Sequence, residues 1–244
     1  MTKNAKRPQP GPLPNPSWSP GQKTVAPFTK TIDFELSKLD PGTAYRLMID
    51  CIVPRPIALV STVSPEGTGN LAPFSFFNGV ASDPPTLVIS VSSKRDGTRK
   101  DTLRNIEANR QFVVNMASEW MVEPMHETSA EYPYGVDEMS KVGLTPIASM
   151  KVAPPRVLES PVQLECELHS TVEIGQGGLG SSTLVIGRIL VIHVADTAYD
   201  PATRRVRVED LQPISRLGGA SYARTSGFFE IPRPKLPQHH SFEG

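Results

Sequence analysis

Cysteine is scarce in this chain. Cys51 and Cys166 are its two cysteines among 244 residues. Neither belongs to a CxxC pair or to a metal-ligand cluster, and each sits in an apolar stretch. Buried free thiols are expected rather than a disulfide framework, which favours a reducing compartment. Long hydrophobic runs are also missing. With no stretch of about 18 apolar residues, no membrane span is expected. The N-terminus lacks the apolar core of a signal peptide, so the expected location is the cytoplasm. There is no charge surplus, since 25 Lys and Arg balance 25 Asp and Glu. That balance removes any generic case for nucleic acid or an anionic membrane, while leaving a local phosphate site open. A catalytic triad, a carboxylate pair and an internal repeat are likewise absent from the pattern.

Proline, by contrast, is plentiful, and it is unevenly placed. Residues 1–27 include Pro8-Gln9-Pro10-Gly11-Pro12-Leu13-Pro14. Such a run cannot donate the hydrogen bonds of a helix or a central strand. It reads as an N-terminal arm, and residues 231–244, with Pro232, Pro234 and Pro237, read as a C-terminal tail. The folded domain is expected over 28–230. Within it β signals dominate. Residues 56–63 read as a strand, Ser64-Pro65-Glu66-Gly67 as a turn, and 70–78 as the returning strand of a hairpin. A third strand is expected over 86–92. A helix follows, capped by Thr98 or Asp101, with Leu103, Ile106 and Ala108 facing inward. Residues 111–117 form another strand. Residues 118–145 read as helical or looped, anchored by Met121, Met125 and Met139. Two long strands are expected over 161–174 and 183–195. Many strands with few helices indicate a mainly β domain, a barrel or a sandwich.

Gly175-Gln176-Gly177-Gly178-Leu179-Gly180 fits G-x-G-x-x-G letter for letter. A dinucleotide fingerprint needs a helix straight after the glycines, because the helix N-terminus holds the pyrophosphate. Here Ser181-Ser182-Thr183-Leu184-Val185-Ile186 follows, a β-branched strand. The glycines therefore read as a hairpin loop.

Three other segments place polar groups in apolar surroundings. Arg55 stands between Pro54 and Pro56, ahead of Ser61 and Thr62. A stiffly held guanidinium suits bidentate phosphate recognition, or else a surface ion pair. In Asn70-Leu71-Ala72-Pro73-Phe74-Ser75-Phe76-Phe77-Asn78, alternation puts Ala72, Phe74 and Phe76 on one face. Small residues beside aromatics admit a flat ring against backbone, or else form an ordinary core strand. From Ser92 to Thr102, four cations and several hydroxyls precede a helix, where cations oppose the helix dipole. An anion at the helix start, met by Lys100, would resolve that conflict; a solvated loop is the alternative. Together, two phosphate clamps around a place for a planar ring describe a mononucleotide pocket.

These segments resemble the flavin reductase-like domain family, whose fold is the FMN-binding split barrel. The resemblance is carried by residues 55–62, 70–78 and 82–85, then by Lys100-Asp101-Thr102-Leu103-Arg104-Asn105-Ile106 and Phe112-Val113-Val114-Asn115. Ser160-Pro161-Val162-Gln163-Leu164-Glu165-Cys166, Ile186-Gly187-Arg188 with His193, and Leu217-Gly218-Gly219 with Tyr222-Ala223-Arg224 continue it. It spans about residues 40–230.

The resemblance implies a homodimer with non-covalent FMN near the subunit interface and NAD(P)H as electron donor. It puts Arg55, Ser61, Thr62, Lys100 and Thr102 around the phosphate and ribityl chain. Asn70, Ala72, Ser75 and Phe76 would border the ring, with Asn78 at the end of that segment. Tyr222 would close the pocket, and His193 would lie near the flavin or nicotinamide, the one catalytic candidate. FMN carries the hydride chemistry itself, so no acid, base or nucleophile need stand out in the sequence. Electrons would leave to free flavin, oxygen or a partner monooxygenase. The alternatives are a non-catalytic FMN-binding electron carrier on the same fold, a pyridoxamine-phosphate-oxidase-like flavoenzyme, or a plain β-barrel interaction module.

Overall fold

A computed structural model of the chain describes residues 10–225 and 227–234. The chain divides into two units, 1–33 with 226–244, and 34–225. In the first unit the described residues form no helix or strand, and the Gly11 N–H donates to the Phe228 carbonyl at 2.7 Å. The outer parts of the expected arm and tail, 1–9 and 235–244, lie outside the described residues.

The second unit begins with α1 (Pro41–Cys51), capped by the Asp40 carboxylate on the Thr43 N–H. Strands β1 (Arg55–Pro56), β2 (Ala58–Val63), β3 (Gly69–Phe74), β4 (Phe77–Ser82) and β5 (Pro85–Ser92) follow. Then come α2 (Asp101–Asn109), β6 (Gln111–Met116), the short helices α3 (Val122–Glu127) and α4 (Glu138–Val142), and the small pair β7 (Pro146–Ile147) and β8 (Arg156–Val157). Strands β9 (Val162–Ile174) and β10 (Ser182–Val194) make a long hairpin. The unit ends with the pair β11 (Tyr199–Asp200) and β12 (Arg205–Val206), the short α5 (Val208–Leu211), and β13 (Ile214–Arg216) and β14 (Tyr222–Arg224), which join β1 in a three-stranded sheet.

The large sheet has seven strands in the order β3-β2-β6-β9-β10-β5-β4, all antiparallel. β3 and β4 are consecutive in the chain yet lie at opposite edges. Flat, those edges would be about 29 Å apart, six strand spacings of about 4.8 Å. Only Ser75 and Phe76 connect them, a reach of about 11 Å. The sheet must therefore curl until its edges meet, and the Ser90 N–H, donating to the Phe76 carbonyl at 2.8 Å, carries the β4–β5 ladder back into the connecting residues. The result is a β-barrel with a few helices, a split barrel. The expected single strand over 70–78 is thus two strands, broken where the chain crosses from one edge to the other.

Both faces of β2 are buried, which explains why Ile57-Ala58-Leu59-Val60 runs apolar without alternation. Ala58 and Val60 join the barrel core with Leu87, Ile89, Val91, Phe112, Val114, Cys166 and Val185. Ile57 and Leu59 join a second core outside the barrel, with Leu71, Met121, Met125, Met139 and Ile214. The three methionines are the anchors expected for 118–145. Gly187 is required by the Phe112 ring, which occupies the space that a β-carbon there would need. Helix α2 closes one end of the barrel with Leu103 and Ile106, but Ala108 is exposed and does not face inward. The N-cap position of α2 is Lys100, and no side chain caps it. Thr98 instead donates to Asp96, and Asp101 receives Lys94. The glycine segment is the loop between β9 and β10, with Gly175, Gly177, Gly178 and Gly180 at positive φ, and a strand follows it.

Candidate functional site

The uncapped start of α2 brings Lys100 to the meeting point of three clefts. One, of about 70 Å³, is lined by Asn70, Ala72, Thr102, Glu131 and Glu138. A second, of about 320 Å³, is lined by Tyr45, Ser75, Phe76, Ser90 and Leu179. A third, of about 260 Å³, lies between Ser92, Ser93 and the glycine loop. Lys100 lines all three.

The four cations before α2 are not equivalent. Lys94 pairs with Asp101 at 3.1 Å, Arg95 with Glu131 at 4.0 Å, and Arg99 with both Glu107 and Glu173 at 2.5 and 2.8 Å. The Lys100 ammonium has no ion pair or hydrogen bond among the described residues. Burial pushes its ammonium below the ordinary lysine range, against the pull of Glu131. A desolvated, unpaired ammonium beside an uncapped helix start is a strong anion acceptor, because both features are unsatisfied until an anion arrives.

Behind Lys100 lies a buried polar network. Asn70 Nδ2 donates to Thr62 Oγ1 at 3.1 Å and to Thr102 Oγ1 at 3.0 Å. Asn105 Nδ2 donates to the same Thr62 Oγ1 at 3.0 Å. Glu138 faces the first cleft and accepts the Leu71 N–H at 2.8 Å, which satisfies the free edge of β3. Burial raises its carboxyl above the ordinary range, more than that bond lowers it. Nothing in the sequence pattern singled out Glu138, because its role depends on α4 meeting the edge of β3.

The structure therefore brings together Asn70, Ala72, Ser75, Phe76, Lys100 and Thr102, with Thr62 directly behind. Other candidates are engaged outside the clefts or behind their walls. Arg55 is buried and already engaged. Its Nη1 donates to the carbonyls of Ile49 and Ile52, both at 2.5 Å, its Nη2 to Leu217 O at 2.8 Å, and its Nε to Ser75 Oγ at 3.4 Å. It ties α1, β1 and the segment after β13 together instead of presenting a fork to phosphate. Ser61 points to the outer core, donating to Pro155 O at 2.5 Å and accepting from Asn115. Asn78 is exposed on β4, its Oδ1 accepting the Gly79 N–H. Tyr222 bonds His126 Nδ1 at 2.9 Å under the Arg216 guanidinium. His193 bonds the buried Glu165 at 2.7 Å, near the end of β10 away from Ser182 and the third cleft. None of Arg55, Ser61, Asn78, Tyr222 and His193 lines the three clefts.

The sequence profile of the flavin reductase like domain matches residues 50–209. An uncharacterized protein of Aquifex aeolicus is 42% identical over 196 residues, covering 80% of this chain and 97% of its own length. Among solved structures, nitrilotriacetate monooxygenase component B from Bacillus cereus is similar with a TM-score of 0.79 and 36% identity, over 84% of this chain and 100% of that one. The 2-nitrobenzoate 2-nitroreductase NbaA of Pseudomonas fluorescens is similar with a TM-score of 0.73 and 33% identity, over 87% and 100%.

Proposed function

The chain belongs to the flavin reductase-like domain family, and from that premise we propose that it binds FMN non-covalently and works as an NAD(P)H-dependent oxidoreductase. One observation carries this reading. Lys100, the one cation of its segment without a partner among the described residues, stands where three clefts meet. The residues fit a phosphorylated planar ligand. Lys100 and the start of α2 match a phosphate monoester, and Thr102 lines the same cleft. Ala72, Ser75 and Phe76 offer a small-residue and aromatic border for a flat ring. Hydride acceptance and electron release are the chemistry that FMN supplies when bound. The chain's share is to hold the phosphate with Lys100, orient the ring edge with Asn70, and leave the open second cleft for a second substrate.

A homodimer belongs to the same proposal. Helix α1 buries none of its residues within the chain, leaving Tyr45, Met48 and, just after it, Ile52 exposed. Val80 is exposed on the edge strand β4. Tyr45 also lines the second cleft, so a second copy seated there would complete its wall. Similarity to component B of a monooxygenase supports a partner monooxygenase as electron acceptor. No described helix is long and apolar enough to cross a membrane. Near-ultraviolet and visible absorbance of the purified protein, before and after anaerobic NADH or NADPH, tests the reading. Flavin bands that bleach support it. Bands that persist with both reductants point to a carrier, and no bands even with added FMN reject flavin binding.

A further inference from the structure

We propose that Asn105, which lines none of the three clefts, is a positioning residue that decides which end of the Asn70 amide faces the ligand. The proposal rests on the flavin-binding reading above. Asn105 lies on the inner face of α2 and is 1% exposed. Its Nδ2 donates to Thr62 Oγ1, which also accepts from Asn70 Nδ2. A hydroxyl oxygen has two acceptor positions and one proton. With both positions filled, the Thr62 proton is turned away from the two amides. Thr62 therefore meets Asn70 only as an acceptor.

That fixes Asn70. It sits opposite Thr62 in the β2–β3 ladder and gives its two N–H groups to Thr62 and Thr102. Its Oδ1 is left to face the first cleft, where it can accept from a ring imide N–H or a ribityl hydroxyl. Without Asn105, the Thr62 hydroxyl can rotate and donate to Asn70 Oδ1. The amide can then flip, presenting donors where the ligand also has a donor.

A second observation points the same way. Asn105 Oδ1 is buried and has no hydrogen-bond partner. An orphaned buried carbonyl oxygen destabilises the fold, and leucine would fill nearly the same shape without it. The neighbouring Leu103 and Ile106 are apolar and buried, so packing alone gives no reason for an amide here. The reason is the N–H that it supplies to Thr62.

The test uses full-length protein and FMN titrations followed by flavin absorbance, alongside melting of the flavin-free form. Asn105→Leu is expected to melt at or above the wild-type temperature, yet to bind FMN about tenfold more weakly, the effect of one hydrogen bond. Asn70→Ala should weaken binding at least as much, and the double variant should bind no worse than Asn70→Ala alone. Thr62→Val removes the shared hydroxyl and should reproduce the loss, which keeps the test open if Asn105→Leu does not fold. Wild-type affinity in Asn105→Leu, or losses that multiply in the double variant, would overturn the proposal and leave flavin binding standing. A wild-type chain that binds no FMN would overturn both.

Discussion

Two buried polar clusters sit in this unit, and they differ in how completely their groups are paired. Around Glu165 everything is matched. Burial raises its carboxyl, but the N–H groups of Met150 and Lys151, at 2.7 Å each, and His193 together hold it below the ordinary range. Around Lys100 the matching is incomplete. An ammonium lacks a counter-ion, a helix start lacks a capping side chain, and the Glu138 carboxyl, facing the first cleft, is raised by burial. Groups paired within the chain stabilise it, whereas groups left unpaired beside a cleft are completed by a ligand. Arg55 belongs with the first kind, although its sequence setting suggests the second.

The comparison can be broken at several points. The largest effect is expected at Arg55. Arg55→Ala leaves three carbonyls without their donor and should cost about 4 kcal/mol of stability in denaturant unfolding. Any fall in flavin affinity should follow from that unfolding. A folded Arg55→Ala protein that has lost only FMN would restore Arg55 to the phosphate site. Next, Glu165→Ala takes the acceptor from the Met150 and Lys151 N–H groups and should cost about 2 kcal/mol with FMN affinity unchanged, as read by chemical denaturation and flavin titration. The effect at Glu138 is smaller and depends on pH. With its pKa raised in the fold, the native state holds a proton that the unfolded chain releases, so its contribution to stability is lost as pH rises from the ordinary carboxylate range through the raised value. Ionised Glu138 also repels phosphate, so FMN affinity should fall over the same interval. Glu138→Gln should flatten both dependences, measured by melting and by flavin titration across pH. The smallest effect is expected for His193→Ala, about 1 kcal/mol or less, because Glu165 keeps both backbone donors. A large loss of turnover in that variant would return His193 to the catalytic site.

Much of this was legible in the sequence. Runs rich in Val, Ile and Leu at 56–63 and 183–195 marked strands, and a β-branched segment after the glycines ruled out a dinucleotide fingerprint. Lys100, Asn70 and Thr102 were singled out by residue type and do converge on one cleft. The break at Ser75 and Phe76 was hidden, because alternation continues through it and the cause is closure of the sheet between distant strands. Arg55 and Ser61 were singled out by residue type yet line none of the three clefts, for a related reason. Whether a polar group is free depends on carbonyls brought from residues 49, 52, 155 and 217, which no local pattern contains. Asn105 lay inside a familiar segment, but its place beneath Thr62 exists only after α2 docks on β2.

The central claim is that Lys100 holds the phosphate of a flavin. Wild-type and Lys100→Ala proteins should each be titrated with FMN and with riboflavin, which lacks the phosphate. The account predicts that wild type prefers FMN by at least about tenfold, that Lys100→Ala loses most of that preference, and that riboflavin binds both proteins alike. An equal preference for FMN in the two proteins would contradict it.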